Sequence, residues 1–305
     1  MNKKNTVYGG QALIEGVMIR GPAHYAIAVR RQNGSIFIQS KKVSAFFQNF
    51  STKFPIIRGI IVLIDMLITG FSALNRSAQI ALEDITTEKE NTKSQQIFTF
   101  LSFAIGLGFG IILFLIIPLG ASKLLKFIFD NQIFIHFMEG LIRLLILFIY
   151  LLVIGKMPDI KRVFQYHGAE HMVVHSHENK LKLTVKNARK FSTQHPRCGT
   201  SFLVIVMIMT ILVFTFLPLI LPLIHQSNNF IIELIYRILL VPIIGGISYE
   251  FIRLFGKNAN NSVVKILLIP GLWLQNLTTN QPEDDQIEVA LASMNSVLEA
   301  EQGNS

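Results

Sequence analysis

Four runs of about twenty apolar residues, at 97–118, 134–154, 202–224 and 230–252, constrain this chain more than any other feature in it. A helix needs roughly 20 such residues to cross the ~30 Å hydrocarbon core of a bilayer. In that medium the backbone must satisfy its own hydrogen bonds, which leaves the helix as the natural form for isolated apolar runs. The first and third runs carry no charge, whereas the second holds Glu139 and Arg143 and the fourth Glu233 and Arg237. Each pair is spaced i,i+4 and can close within its own helix. A fifth stretch, 55–74, is almost long enough but contains Arg58 and Asp65. An aspartate near mid-bilayer is costly, so this stretch is expected to lie in the interface or to re-enter rather than to cross.

Composition agrees with a membrane setting. Of 305 residues, 51% are hydrophobic and 15% charged, against about 25% charged in a soluble domain. The first twenty residues lack the continuous apolar core of a secretory signal. The single cysteine, Cys198, excludes an internal disulfide.

Charge sets the expected orientation. Twelve Lys and Arg precede the first run, nine lie between the second and third, and three follow the fourth; the other two connections hold only Lys123 and Lys126. The positive-inside rule then places both termini and the 155–201 loop in the cytoplasm, as expected of a multi-pass protein of the bacterial inner membrane. The net charge of +9 reads as topology and contact with anionic lipid. No basic and aromatic interleaving suggests nucleic-acid binding.

The expected architecture is an all-α polytopic membrane protein of about four transmembrane helices with a small cytoplasmic N-terminal α+β unit. That unit covers 1–54, where 25–30 and 36–41 flank Asn33-Gly34, a signal for a two-residue β-hairpin. The glycine-rich segment GGQALIEGVMIRGP, 9–22, follows no clear strand and lacks the lysine of a phosphate loop. It reads as a turn bearing Glu15 and Arg20. An interfacial or re-entrant helix and polar linker occupy 55–96, the four-helix domain 97–255, and an amphipathic cytoplasmic tail 256–305. Segment 181–191 is expected to be a strand turning into a helix. Pro282 and the acids at 283–285 mark a helix start, followed by a stripe of Ile287, Leu291, Met294 and Leu298.

Chemistry concentrates at YHGAEHMVVHSHE, 166–178, where four of the eight histidines fall at 167, 171, 175 and 177. His167 and His171, four apart, lie on one face of a helix and can offer two imidazole nitrogens to one metal. With Glu170 between them they read His-x-x-Glu-His, the inverted zincin order, in which the carboxylate acts as general base. Zn²⁺ takes imidazole nitrogen, thiolate and carboxylate oxygen, and a catalytic site uses three protein ligands plus water. The third ligand is open among Glu250, Cys198, His195 and Glu178. HPRCGTS, 195–201, immediately precedes the third run and Glu250 lies at the end of the fourth, so all are expected at one depth. Against each stands a plainer role: a hydrogen-bonded histidine pair, a buried thiol at Cys198, an ion pair of Glu250 with Arg253. His175 continues the 167/171 face and is assigned to support or solvent; His177 lies off it.

The blocks GGQALIEGVMIRGP, YHGAEH (166–171), HPRCGTSF (195–202), GISYEFIR (246–253) and the tail PGL, TTNQP and IEVA from 270 to 290 resemble the YqhQ-like family of bacterial membrane proteins of unknown function. The resemblance covers nearly the whole chain. It implies a metal-dependent enzyme and a shared residue set of Glu15, Arg20, His167, Glu170, His171, His195, Cys198 and Glu250; beside that set, Glu178, Arg197 and Arg253 are expected to support the site. It does not call for histidine at 175 or 177. The expected function is a membrane hydrolase with a divalent metal, zinc by donor type, acting on a lipid-linked group or a membrane protein at the cytoplasmic surface. The alternative is a scaffold or assembly factor whose loop is tied by a structural metal or by hydrogen-bonded histidines. A transporter is disfavoured, because these spans lack His, Cys or paired carboxylates at their centres.

Overall fold

In a computed structural model, residues 8–44, 54–82, 93–220, 229–257 and 261–303 are described. The N-terminal unit is a four-stranded antiparallel meander: β1 (Gly9–Leu13), β2 (Gly16–Arg20), β3 (His24–Arg30) and β4 (Ile36–Lys42), in that order. The glycine-rich segment is therefore two strands and not a turn. They close tightly because Leu13 pairs with Gly16 and Glu15 takes φ 52. Gly10 lets β1 approach its neighbours, since a Cβ there would sit 2.2 Å from the Met18 carbonyl oxygen. The hairpin around Asn33-Gly34 is present, but Arg30 pairs with Ile36 across a five-residue loop instead of the expected two. Within it Gly34 supplies a φ of 83 and the Asn33 side chain accepts the Ser35 amide at 2.9 Å.

The remaining described elements are helices: α1 (Pro55–Leu82), α2 (Lys93–Ile111), α3 (Ile117–Leu125), α4 (Gln132–Ile154), α5 (Pro158–Glu178), α6 (Val185–Ala188), α7 (Gly199–Ile220), α8 (Phe230–Lys257), α9 (Ser262–Thr278) and α10 (Asp284–Gln302). A π-helical turn, Ile112–Ile116, joins α2 to α3. Among the described residues five helices, not four, are long and apolar enough to cross a membrane. The addition is α1, which runs 28 residues instead of ending near 74. Of the expected linker, 83–92 lies outside the described residues and Lys93 already begins α2. Segment 181–191 contains no strand, only the one-turn α6, with Thr184 accepting the Asn187 amide at its start.

Side-chain alternation divides the sheet into two apolar faces. Val17, Ile19, Ala26 and Ala28 join Tyr166, Ala169 and Val173 of α5 and Ile287, Ala290 and Met294 of α10 in one core. Leu13, Met18, Ile27 and Val29 join Ala73 and Ile80 of α1 in another. At about 25 cal/mol per Å² of apolar surface removed from water, each fully buried aliphatic side chain contributes roughly 1.5–3 kcal/mol. The sheet is thus the middle layer between α1 and the α5–α10 pair. The tail is an integral layer: a capping box of Glu283 and Gln286 opens α10, and the Ser293 hydroxyl accepts the Ile19 amide at 3.1 Å and donates to the Ala26 carbonyl at 2.9 Å.

The charged residues of the apolar helices pair across the bundle. Glu139 accepts Arg143 as expected within α4, at 2.8 Å, but it also accepts Arg237 of α8, which does not turn to Glu233. Glu233 faces Lys123 of α3 at 4.0 Å. Arg143 also donates from Nε to the Phe114 carbonyl in the π turn, at 2.8 Å, satisfying backbone that the wider turn leaves open. Phe214 lies beneath both guanidinium groups.

Candidate metal centre

The centre forms where α5 meets the start of α7 and the end of α9. Helix α9 falls inside the expected amphipathic tail and was not anticipated as a separate apolar helix. It docks on α7 through Gly271, where a Cβ would lie 2.7 Å from the Ser201 hydroxyl, and through Leu274 packed among Leu147, Leu151 and Val204. That docking brings the Thr278 carbonyl to the His-bearing face of α5. Gln275 clamps the 195–201 loop: its side chain accepts the His195 amide at 2.8 Å and donates to the His195 carbonyl at 2.9 Å and to Ser201 at 2.9 Å.

His167, His171 and Cys198 converge, with one ligand atom from each lying within 4.8 Å of the others. His167 Nδ1 is 2.8 Å from the Thr278 carbonyl oxygen and His171 Nδ1 is 2.5 Å from that of Thr193. A carbonyl only accepts, so both Nδ1 atoms carry the proton and both Nε2 atoms present a lone pair. His167 Nε2 lies 3.2 Å from Cys198 Sγ. Cys198 immediately precedes α7, and its sulfur accepts the Thr200 amide at 3.3 Å. Two nitrogens and one sulfur, each with its outer hydrogen bond made, match the donor chemistry of a zinc site.

Glu170 is beside this group, with Oε2 at 3.5 Å from His171 Nε2. Only 3% of it is exposed. Burial pushes its pKa up, opposed by His167, by His195 and by the Gly10 amide. A Cβ on Gly10 would also press on Glu170 at 3.1 Å, so the first strand of the sheet forms the wall behind the carboxylate.

His195, Glu178 and His175 form a second group of close ligand atoms, but hydrogen bonds occupy it. His195 Nδ1 accepts the Arg197 amide at 3.2 Å, leaving Nε2 to donate to Glu178 at 3.4 Å. Glu178 also pairs with Arg197, and His175 Nε2 donates to the Gln194 carbonyl at 2.8 Å. Glu250 is not brought to the histidines. Arg58 of α1 holds its carboxylate through two nitrogens, one at 2.9 Å, with Arg253 at 3.8 Å. A helix end predicted from chain order alone said nothing about Arg58, 192 residues away. Glu15 and Arg20 serve the scaffold: Glu15 takes Arg162 at 2.5 and 2.6 Å and the Tyr166 hydroxyl at 3.2 Å, while Arg20 pairs with Asp65. His177 packs edge-on against Tyr8, away from the centre.

The chain matches the profile of a protein family of unknown function, DUF1385, over residues 54–300. It is also 37% identical over 309 residues to the uncharacterized protein YqhQ of Bacillus subtilis, covering 98% of this chain and 95% of that protein. The chain belongs to the DUF1385 family. No solved structure matches it. The family match begins where α1 begins, and the alignment to the Bacillus protein carries the likeness across the sheet as well.

Burial lowers the proton affinity of three imidazoles in and beside the centre. His171 and His195 are pushed below the ordinary histidine value mainly by desolvation, and His175 is lowered to about 4 by the same cause, opposed by its bond to Gln194. An unfolded chain takes up protons on these rings near pH 6.5, before the folded chain does. Stability from them is therefore complete above pH 6.5 and is lost as pH falls from there toward 4. Glu170 runs the other way, since its raised pKa makes folding less favourable as pH rises. In chelator-treated protein, the midpoint of thermal unfolding is expected to fall between pH 7 and pH 5. His175→Gln should flatten that slope, and an unchanged slope in the variant would show that His175 is not held neutral.

Proposed function

We propose that this protein is a metal-dependent hydrolase of the bacterial inner membrane, with the centre on the cytoplasmic side. His167, His171 and Cys198 hold a divalent metal, zinc by donor set, and Glu170 is the general base. The reading is carried by one observation: two histidines, each fixed by a backbone carbonyl, turn bare nitrogens toward a single thiol. The charges also fit, because a dication against one thiolate and one carboxylate is neutral in a buried setting. A bound zinc would lower the pKa of a coordinated water toward 7 and polarise a substrate carbonyl or phosphoryl oxygen.

The chain's own groups supply the rest. Glu170, raised in pKa and walled by Gly10, is suited to accept a proton at neutral pH and return it to a leaving group. The His195–Glu178–Arg197 system orients the loop that carries Cys198. Location at the inner ends of α4 and α7 favours a substrate held in the bilayer, a lipid-linked group or a membrane protein. One observation favours the scaffold alternative: Glu170 and His171 are 3% and 2% exposed, as in a closed structural site.

Glu170→Gln separates the two. An enzyme keeps its metal and loses cellular function in a strain lacking the wild-type gene, because the amide preserves shape but accepts no proton. A scaffold keeps both. Retention of full function in the variant would refute the general-base role.

A further inference from the structure

Contacts between the sheet and the helices restrict which of them can cross a bilayer. Glu15 of the β1–β2 turn holds Arg162 and Tyr166 of α5, and one face of the sheet shares a core with α5 and α10. The sheet, α5 and α10 therefore lie on one side of any membrane. Between the sheet and α5 the chain passes through three long apolar helices, α1, the α2–α3 rod and α4. Three crossings would separate two parts that touch, so an even number of the three crosses.

The helix that stays is α1, because the sheet lies along it. The Gln11 amide donates to the Gly70 carbonyl at 3.0 Å, the Ile14 amide to Ser77 at 3.2 Å, and the Gln32 amide to the Ala81 carbonyl at 3.2 Å. Arg20 reaches Asp65. Ala73 and Ile80 share the sheet's second core. Contacts from residue 65 to residue 81 with one small sheet span about 24 Å of helix, which a transmembrane course would carry through the hydrocarbon. The N-terminal third packs instead on the half of α8 that leads toward α9 and α10. Gly59 meets Gly246 of α8, where a Cβ would lie 2.5 Å from the carbonyl oxygen, and Arg58 holds Glu250 near the end of α8 that leads to α9 and α10.

We infer that α1 does not cross the bilayer but lies along the leaflet on the metal centre's side, with the sheet on one flank and lipid on the other. Its outward flank carries Ile57, Ile64, Leu67, Ile68 and Leu74, each between 37% and 73% exposed. The inward flank is Gly59, Gly70, Ala73, Ser77 and Ile80. An apolar stripe of that length fits the boundary between headgroups and acyl chains. Asp65, costly at mid-bilayer, is instead at the sheet. Four crossings remain, by α2–α3, α4, α7 and α8, and the even number matches the basic residues counted on one side.

The test uses the full-length protein in cells with single cysteines at the two ends, Phe54→Cys and Leu82→Cys, both at exposed positions. Labelling is by a membrane-impermeant maleimide, with the signal of buried Cys198 in wild type subtracted. Lys182→Cys marks the centre's side and Asp130→Cys the opposite side. Both ends are expected to label with Lys182. Labelling of one end with Asp130 would overturn the inference. The lipid contact is read separately: a nitroxide at Leu67→Cys, in vesicles of phosphatidylcholine and phosphatidylglycerol, should relax more with lipid-soluble oxygen than with a water-soluble nickel chelate. The reverse order would place that flank in water and overturn the lipid assignment.

Discussion

Replacing Glu139 by glutamine is expected to lower the free energy of unfolding in detergent by about 3–5 kcal/mol, the cost of leaving a buried charge without its partner. Glu139 is 1% exposed and is the shared acceptor of Arg143 and Arg237, which are 3% and 1% exposed, with His136 Nδ1 at 3.4 Å. Removing the carboxylate strands two guanidinium groups in an apolar bundle, where the Phe114 carbonyl and the Phe214 face compensate only in part. Unfolding by a titrated denaturing detergent would read the change. Replacing all three charges with leucine should recover much of it, because the penalty comes from unpaired charge and not from lost volume. Asp284→Asn, which breaks the open pair with Arg189, should cost less than about 1 kcal/mol. Equal losses from Glu139→Gln and Asp284→Asn would show that the intramembrane cluster is not what joins α4 to α8.

The second large effect concerns metal content. Wild-type protein purified without chelator is expected to carry one zinc per chain. His167→Ala, His171→Ala and Cys198→Ser should each carry less than about a tenth of that, because losing one donor from a three-donor set weakens the site by orders of magnitude. His177→Ala and Glu250→Gln should keep full content, since neither residue reaches the centre. Loss of metal in Glu250→Gln with retention in Cys198→Ser would reverse the assignment of the third ligand.

Much of the bundle was legible in sequence because long apolar runs have one physical solution in lipid, and the α10 start was legible because capping residues act locally. The two histidines and Glu170 were legible because helical spacing fixes their faces. What stayed hidden depended on distant partners. Arg58 claims Glu250 across 192 residues, and Arg237 chooses Glu139 over its own helix neighbour; no spacing rule reports such choices. Strands β1 and β2 were missed because glycines at 9, 10 and 16 weaken strand propensity, while those at 10 and 16 permit the close approach the sheet needs. The carbonyls of Thr193 and Thr278 set the imidazole tautomers, yet a carbonyl leaves no mark in a sequence. Gln275 was missed for a related reason, because α9 was read as part of an amphipathic tail and not as a helix docked on α7, so nothing placed an amide beside His195.

X-ray absorption at the zinc edge of the loaded, detergent-purified protein tests the central claim most directly. A centre on His167, His171 and Cys198 predicts a single sulfur scatterer at about 2.3 Å and nitrogen scatterers at about 2.0–2.1 Å with imidazole outer shells, and the sulfur shell should vanish in any residual metal of Cys198→Ser. A spectrum of oxygen and nitrogen alone in the wild type, or no stoichiometric metal to measure, would contradict it.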